Sequence, residues 1–343
     1  MRIVCLLTAL LAVSGCGMDA EKGILMAAGA YGDLAVVYAD PGLDPVARQF
    51  ATEVNEDQVF VIASETRFKI DIFPPENWDL AKGYKNAVFV TTAGDHGAVN
   101  KELRKLMSKE AWSQLQSGAG GLVQRKDPWA TYQLLVVATG PDRNSLASLL
   151  HRNAARIRGM IESDSRTRIL RHNRYEGLAT GLMNSCWSRH GFYLEIPETF
   201  QLNQQGHDKV PGLELMETNP SRGITICWLD TEDPAGMLAD RTRLVALRAD
   251  MGRLFHHEDL VPESFTWSDG GPPGHPGVTL KGAWTGKTFA GGGPFWSYFL
   301  ADKGRGRVYC IDLLTYAPGM DKMGFFRQME AIATTFSTTR PQP

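Results

Sequence analysis

Three short apolar segments decide the fold of the second half of the chain: VTLKGAW at 278–284, FWSYFL at 295–300 and VYCIDLL at 308–314. Each segment has the length and the content of β-branched and aromatic residues that strands favour. Because the turns between them are short, the three strands are expected to pair antiparallel. A stripe at helical spacing follows, made of Phe325, Met329, Ile332 and Phe336, and it predicts a closing helix that packs on this sheet.

Strand and helix patterns extend outward from this core in both directions. Further strands are predicted at 191–197 and 223–229, a helix at 240–255, and a loop rich in glycine and proline at 269–277. The first half has strand patterns at 33–38, 60–72, 87–91 and 132–138, with helical stripes between them. The sequence therefore predicts an α+β protein of two domains, each an antiparallel-rich sheet with helices packed on it.

Two long helices are predicted to end the N-terminal domain. Asp142 follows Pro141 and is a good N-cap for the first helix, and a break near 162–164 precedes a second helix at about 166–189. We therefore place the N-terminal domain at residues 31–190 and the C-terminal domain at 191–338.

The N-terminus has the pattern of a bacterial lipoprotein signal peptide. Arg2 supplies a positive charge, an apolar run at 3–13 follows, and Val13-Ser14-Gly15-Cys16 has the form of a lipobox. The run is too short to span a bilayer, which needs about 20 apolar residues. We expect cleavage before Cys16, lipid on its thiol and a tether at 16–30. The residue after Cys16 is Gly17, not the aspartate that favours retention in the inner membrane. The outer membrane is therefore the predicted location, with the folded part periplasmic or surface-exposed.

The charge balance argues against a nucleic-acid partner. Removing residues 1–15 takes away only Arg2, so the mature chain would carry 35 basic and 38 acidic side chains. A nucleic-acid binder would carry a basic excess.

Three cysteines, Cys186, Cys227 and Cys310, follow the cysteine predicted to carry lipid. All three have apolar neighbours, which predicts buried thiols. The alternative is one disulfide among the three, which an oxidising compartment would allow.

Several local strings resemble those of domain-of-unknown-function family 4837. They are Asp127-Pro128-Trp129-Ala130-Thr131-Tyr132-Gln133, Gly293-Pro294-Phe295, Tyr316-Ala317-Pro318-Gly319, Asp321-Lys322, and Arg327-Gln328-Met329-Glu330-Ala331-Ile332. The resemblance would cover most of the mature chain and is sharpest at 291–336. It implies an envelope lipoprotein without an assigned activity and carries over no catalytic residue. The order of elements in the second half is also similar to PsbP-like domains, which implies a non-catalytic part of an assembly.

Two groups of residues are candidate binding surfaces. The first is a run of seven arginines that suits an anionic partner: Arg152, Arg156, Arg158, Arg166, Arg168, Arg171 and Arg174. The second, here called the aromatic–glycine set, suits a ligand groove: Trp267, Trp284, Gly291, Gly292, Gly293, Phe295, Trp296 and Tyr298. The alternatives are a solvated helix surface for the arginines, and for the aromatic–glycine set a sheet core with tightly packed backbone.

No catalytic motif or metal-ligand spacing appears in the sequence, and no cofactor is predicted. His256 and His257 are adjacent, so on a helix they would point about 100° apart and would be poor joint metal ligands; a cap at a helix end is the better interpretation.

The leading hypothesis is a non-enzymatic envelope lipoprotein that binds a partner or assists assembly. A ligand-binding lipoprotein with an inter-domain or aromatic groove is the alternative. A hydrolase would require Asp321, Lys322, Arg327 and Glu330 to converge on a pocket.

Overall fold

The structure is a computed structural model that describes residues 25–55, 57–59, 64–116, 120–206, 208–288 and 290–339. The predicted signal peptide, Cys16 and the first part of the tether lie outside the described residues.

The first part of the chain alternates strands with helices. Its strands are β1 (Asp33–Tyr38), β2 (Asp57–Val59), β3 (Ser64–Thr66), β4 (Lys69–Phe73), β5 (Asn86–Thr92), β6 (Gly121–Lys126) and β7 (Leu134–Gly140). Its helices are α1 (Asp44–Val54), α2 (Ala98–Leu106), α3 (Lys109–Gln116) and α4 (Arg143–Glu176), with 3-10 segments at Pro41–Leu43 and Pro75–Gly83.

The first sheet is mixed, with the strand order β4-β1-β5-β7-β6. Strand β5 pairs in parallel with both β1 and β7, and β6 runs antiparallel to β7. The antiparallel-rich sheet predicted for this half is therefore wrong. Long crossovers that contain helices separate β1 from β5 and β5 from β7, and parallel neighbours require such crossovers. Strand β7 is buried along its whole length, as is common for an inner parallel strand.

Helix α4 continues through the region where the sequence predicted a break. It runs without interruption past residues 162–164 and ends at Glu176. Gly177, with φ of +126°, makes the break instead, and α5 (Thr180–His190) starts after it. The acidic and serine residues at 162–165 lie within the helix, and Asp164 pairs with Arg168 one turn later. The predicted N-cap is correct, because the Ser145 amide donates to Asp142 Oδ1 at 2.8 Å.

The second part of the chain contains one large antiparallel sheet. Its strands are β8 (Gln201–Gln205), β9 (Gly212–Glu217), β10 (Ser221–Asp230), β11 (Glu258–Asp269), β12 (Val278–Gly286), β13 (Gly292–Asp302) and β14 (Arg307–Tyr316). Its further helices are α6 (Pro234–Ala239), α7 (Arg241–Met251) and α8 (Met323–Ala333), with a π-helical turn at Gly252–His256. The strand order is β11-β12-β13-β14-β10-β9-β8. Strands β12, β13 and β14 are those predicted at the outset, and they pair antiparallel as expected.

Both faces of this sheet are covered by helices. On one face the strands pack against Met183 of α5 and Phe326 of α8. On the other face they pack against Met237 of α6 and Leu244 of α7. The strands therefore alternate between two apolar cores, which explains their nearly continuous hydrophobic pattern.

The chain divides into two compact units, Met1–Ala51 with Ile70–Asn153, and Thr52–Lys69 with Ala154–Pro343. The sequence placed the boundary near residue 191, whereas this division falls inside α4. The later turns of α4 are tied to the second unit, where Arg166 pairs with Glu330 and Arg174 pairs with Glu195. The predicted α+β class with two compact parts is confirmed.

Candidate functional site

The aromatic side chains of the aromatic–glycine set lie in the cores of the second unit. Trp284 and Phe295 are buried on the face covered by α6 and α7, while Trp296 and Tyr298 are buried on the opposite face. Neighbouring residues of a strand point to opposite faces, so Phe295 and Trp296 cannot line one groove. Trp267 is half-buried against the α6–α7 side. The predicted aromatic ligand groove is therefore wrong.

The three glycines of this set allow strands to approach one another closely. A Cβ atom on Gly292 would lie 2.7 Å from the Trp284 carbonyl oxygen, and one on Gly293 would lie 2.6 Å from that of Thr315. The Gly291 carbonyl accepts a hydrogen bond from the Gly286 amide at 2.8 Å in the β12–β13 turn. These glycines shape the sheet and do not cradle a ligand.

The seven arginines do not form one exposed face. Arg168 is buried and pairs with Asp164 at 2.7 Å, so its place in the predicted anionic-partner face is wrong. Arg166 pairs with Glu330 at 3.6 Å, and Arg174 pairs with Glu195 at 2.8 Å. The exposed members are Arg152, Arg156, Arg171 and Arg174, and Arg158 is half-buried.

The four residues required by the hydrolase hypothesis each engage a different partner. Asp321 pairs with Lys69, Lys322 with Glu65, Arg327 with Glu162, and Glu330 with Arg166 and Tyr298. Two of these contacts are short, at 2.6 Å for Asp321–Lys69 and 3.0 Å for Tyr298–Glu330. The four side chains are thus held in separate ion pairs and hydrogen bonds along one side of α8.

Glu162 is a carboxylate of this region that contacts two arginines. Burial opposes its charge, but Arg67 at 2.7 Å and Arg327 at 3.6 Å outweigh that effect and lower the pKa of Glu162. The Arg327 guanidinium also donates to the Arg67 carbonyl oxygen at 2.9 Å. These contacts join α4, α8 and the segment before β4.

A buried ion cluster, here called the Arg248 cluster, consists of Arg248, Glu258 and Asp312. The guanidinium contacts both carboxylates at 2.7 Å, and no member is more than 1% exposed. Burial raises the pKa of Glu258 even though Arg248 favours its charged form. Ser297 donates a hydrogen bond to Asp312. The cluster joins α7, β11 and β14, and the aspartate inside the apolar string VYCIDLL was the sequence signal for it.

His256 is part of the interior rather than a helix-end cap. Its Nδ1 lies 2.9 Å from Glu214 Oε1, and its Nε2 lies 3.0 Å from the Thr225 hydroxyl. His257 follows in the left-handed conformation with φ of 54° and ends the π-helical turn. Within the described residues, no group of three or more histidine, cysteine or acidic side chains is arranged to hold a metal ion.

A polar crevice lies at the carboxyl ends of the parallel strands of the first unit. Its volume is about 440 Å³, within the range of small-molecule sites. The residues that line it follow β1, β5 and β7: Asp40, Gly42, Leu43, Thr92, Gly94, Asp95, His96, Asp142 and Arg143. Ligands of open α/β sheets bind at this edge, between neighbouring strands whose onward connections go to opposite sides of the sheet. After β1 the chain continues to β4 on one side, and after β5 it continues to β6 and β7 on the other, so the crevice lies at such a point.

The loops around the crevice are held by their own hydrogen bonds. Asp40, Asp95 and Asp142 each use Oδ1 to accept a backbone amide, from Gly42, Gly97 and Ser145 respectively, at 2.8–2.9 Å. The buried Asn100 of α2 donates to the Asp95 carbonyl oxygen at 2.7 Å. These bonds fix the three carboxylates, and the bond to Ser145 lowers the pKa of Asp142.

The sequence interpretation missed this crevice. Its signal was the repeated placement of an aspartate two or three residues after the end of a buried strand. That signal becomes meaningful only when β1, β5 and β7 are known to be parallel, because parallel strands bring their carboxyl ends to one edge.

Comparisons with known proteins give a family match in the second half of the chain. Residues 181–335 match the model of the family described as Domain of unknown function (DUF4837), which confirms that resemblance over this segment. The similarity to PsbP-like domains stays a prediction. No curated protein matches the chain.

A solved structure with some similarity is that of LpqN, described as involved in cell envelope biogenesis of Mycobacterium tuberculosis. It is 14% identical, and the match covers 43% of this chain and 82% of that one, with a TM-score of 0.28. At that TM-score the likeness carries no functional argument. Among the described residues, no helix combines the length and the apolar character that crossing a membrane requires.

Proposed function

We propose that this protein is a lipid-anchored protein of the cell envelope that binds a small polar ligand without transforming it. The lipobox at 13–16 supports the anchor and the export that precedes it. The crevice at the carboxyl edge of the first sheet carries the binding part of the proposal. The separate pairing of Asp321, Lys322, Arg327 and Glu330 is the reason to prefer binding over hydrolysis.

The chemistry of the crevice indicates which ligand would fit. An ionised carboxylate only accepts hydrogen bonds, and each of the three aspartates already uses one oxygen for a backbone amide. Their remaining acceptor capacity suits a ligand with hydroxyl or ammonium groups. Arg143 adds a donor for an acceptor oxygen on the same molecule. A hydroxylated compound such as a sugar, or an amino compound, meets both requirements.

Thermal-shift and titration experiments with monosaccharides, amino sugars and amino acids test this proposal. Asp95→Asn removes the charge but keeps the oxygen that accepts from Gly97, so we expect the fold to persist and affinity to fall about tenfold or more. Asp79→Asn, at an exposed position of the same unit, is the matched control. If no compound binds, or if both variants bind like the wild type, the crevice is not the ligand site.

Partner binding is the second candidate function, and the positions of Arg152 and Arg156 favour it. Both side chains are exposed, and they lie one helical turn apart on α4. Two guanidinium groups so placed suit carboxylates on an acidic envelope protein.

Crosslinking of the tagged, lipidated protein in its native membrane, followed by mass spectrometry, tests the partner hypothesis. A recurrent partner should be lost when Arg152 and Arg156 are both replaced by glutamate and retained when the exposed Arg243 is replaced instead. Cys16→Ala controls for encounters that depend only on membrane attachment. Absence of any partner above background contradicts this second candidate.

A further inference from the structure

Two of the three cysteines of the described second unit face each other across neighbouring strands. Cys227 of β10 and Cys310 of β14 are direct partners in the antiparallel register. Both are fully buried in the core beneath α6 and α7, so both side chains point to the same face of the sheet. Cys186 lies on α5 in the core of the opposite face, and the sheet separates it from the pair.

The local geometry suits a covalent bond between the two sulfurs. Directly opposed residues of antiparallel strands have Cα atoms about 4.5 or 5.5 Å apart, and both values lie in the range found for disulfides. The row across this face reads Gly212, Cys227, Cys310 and Phe299. Gly212 allows its strand to approach Cys227 closely, because a Cβ atom there would lie 3.0 Å from Cys227 Cβ.

We infer that Cys227 and Cys310 are a cross-strand disulfide site that is oxidised when the chain folds in the envelope, with Cys186 remaining a free thiol. This inference rests on the proposed export of the chain, because disulfides persist in oxidising compartments outside the cytoplasm. The sequence left open which two cysteines pair, and the sheet register selects one pair of the possible three.

The chemistry requires an external oxidant, and a dithiol–disulfide oxidoreductase is the class that fits. One cysteine thiolate attacks the disulfide of the oxidant, forms a mixed disulfide and displaces one oxidant thiolate. The second cysteine thiolate then attacks the sulfur of the first and displaces the other oxidant thiolate. Two protons leave the protein and two electrons reduce the oxidant, so the step balances.

Burial of the two thiols indicates at which stage of folding the disulfide forms. Leu244, Leu247 and Met251 of α7 share the core that encloses both thiols, and neither sulfur-bearing residue is exposed. Burial also raises the pKa of Cys310 well above its usual range, so in the folded protein this cysteine has little thiolate. The bond is therefore expected to form before α7 packs on the sheet.

Peptide mapping of the full chain, exported with its own N-terminus, tests the inference. The protein is denatured, its free thiols are alkylated without reduction, and its peptides are identified by mass spectrometry. We expect one linked species containing Cys227 and Cys310, with Cys186 alkylated. Cys186→Ser should retain the link, whereas Cys227→Ser and Cys310→Ser should each lose it. Alkylation of both Cys227 and Cys310 in a chain that carries lipid on Cys16 would overturn the inference.

A second experiment distinguishes a wrong disulfide assignment from a wrong prediction of export. The full chain with Cys5→Ser and Cys16→Ser is refolded in a glutathione redox buffer and mapped in the same way. If the exported chain carries no lipid, the proposed anchor fails, and this arm alone decides the pair. A Cys227–Cys310 link then supports the site, and two alkylated thiols contradict it.

Discussion

At the scale of single residues, the most consequential feature is that the second unit buries charge in its interior. Arg248 is fully buried between Glu258 and Asp312, so one guanidinium contacts two carboxylates. Gly252 makes this possible, since a Cβ atom there would lie 2.6 Å from Arg248 Nη1 and 2.9 Å from Glu258 Oε1. The Arg248 cluster therefore depends on the absence of a side chain at Gly252 as well as on charge.

We predict that Arg248→Met lowers the free energy of unfolding by about 3–5 kcal/mol, because it leaves two buried carboxylates without their cation. Urea denaturation at neutral pH measures this change. Arg243→Met on the exposed side of the same helix is the control and should have an effect within about 0.5 kcal/mol. Combining Arg248→Met with Glu258→Gln and Asp312→Asn should recover part of the loss; no recovery would show that charge is not the cause.

A second prediction at this scale concerns Glu162. Although burial opposes its charge, Arg67 and Arg327 lower its folded pKa below the ordinary value of 4.5. A depressed carboxyl pKa contributes stability that is present above the unfolded value and lost as the pH falls through the folded value. Unfolding free energies of wild type and Glu162→Gln should therefore differ at pH 7, and the difference should shrink below about pH 4. A difference independent of pH would contradict this explanation.

At the scale of elements, helix ends are completed by residues distant in the chain. Lys322 at the N-cap of α8 offers no side-chain acceptor to the first amides of that helix. Glu65 supplies it instead, because its Oε2 accepts from the Lys322 amide at 2.6 Å and from the Met323 amide at 3.0 Å. A carboxylate at this end also interacts favourably with the helix dipole.

We therefore expect Glu65→Ala to lower the free energy of unfolding by about 0.5–2 kcal/mol, the usual effect of losing an N-terminal cap. Hydrogen exchange should quicken first at the amides of residues 322 and 323. Ser64→Ala, at the exposed neighbouring position, is the matched control. Equal exchange in the two variants would mean that Glu65 is not the cap of α8.

The strands and helices also show which structural features local sequence patterns predict correctly and which they do not. Strands β12, β13 and β14 follow from apolar runs bounded by turns, because their pairing is local and needs only short connections. The parallel pairing of β1, β5 and β7 does not follow from such runs, since an apolar run is compatible with either direction. The break at Gly177 was missed because the serine- and acid-containing segment before it looked less helical, yet its side chains pair within the helix.

At the scale of the whole molecule, the predicted lipid on Cys16 decides where the two units act. Each buried methylene of an acyl chain contributes about 0.8 kcal/mol, and a diacylglycerol group supplies two chains. The crevice and any partner surface would then meet ligands only at a membrane, where the local concentration of envelope components is high.

We predict that Cys16→Ala moves the protein from the membrane fraction to the soluble fraction and abolishes labelling by a clickable fatty acid. If the proposed anchor alone provides the membrane affinity, the thermal unfolding temperature of the folded part should not change. Wild-type protein in the soluble fraction without label would exclude the lipoprotein assignment. Ser14→Ala should retain the label, because a small residue at that position is sufficient for the lipobox.

The sequence by itself determined the predicted signal and lipobox, the α+β class, the antiparallel core of the second half and the family resemblance that is sharpest at 291–336. These predictions depend on local composition, on periodicity and on strings of consecutive residues, all of which are visible in the linear sequence. Only the tertiary structure decided the parallel pairing of β1, β5 and β7, the crevice of Asp40, Asp95 and Asp142, the cluster around Arg248 and the facing positions of Cys227 and Cys310. Each of these brings together residues far apart in the chain, and strand direction and register, which local patterns do not specify, determine which side chains meet.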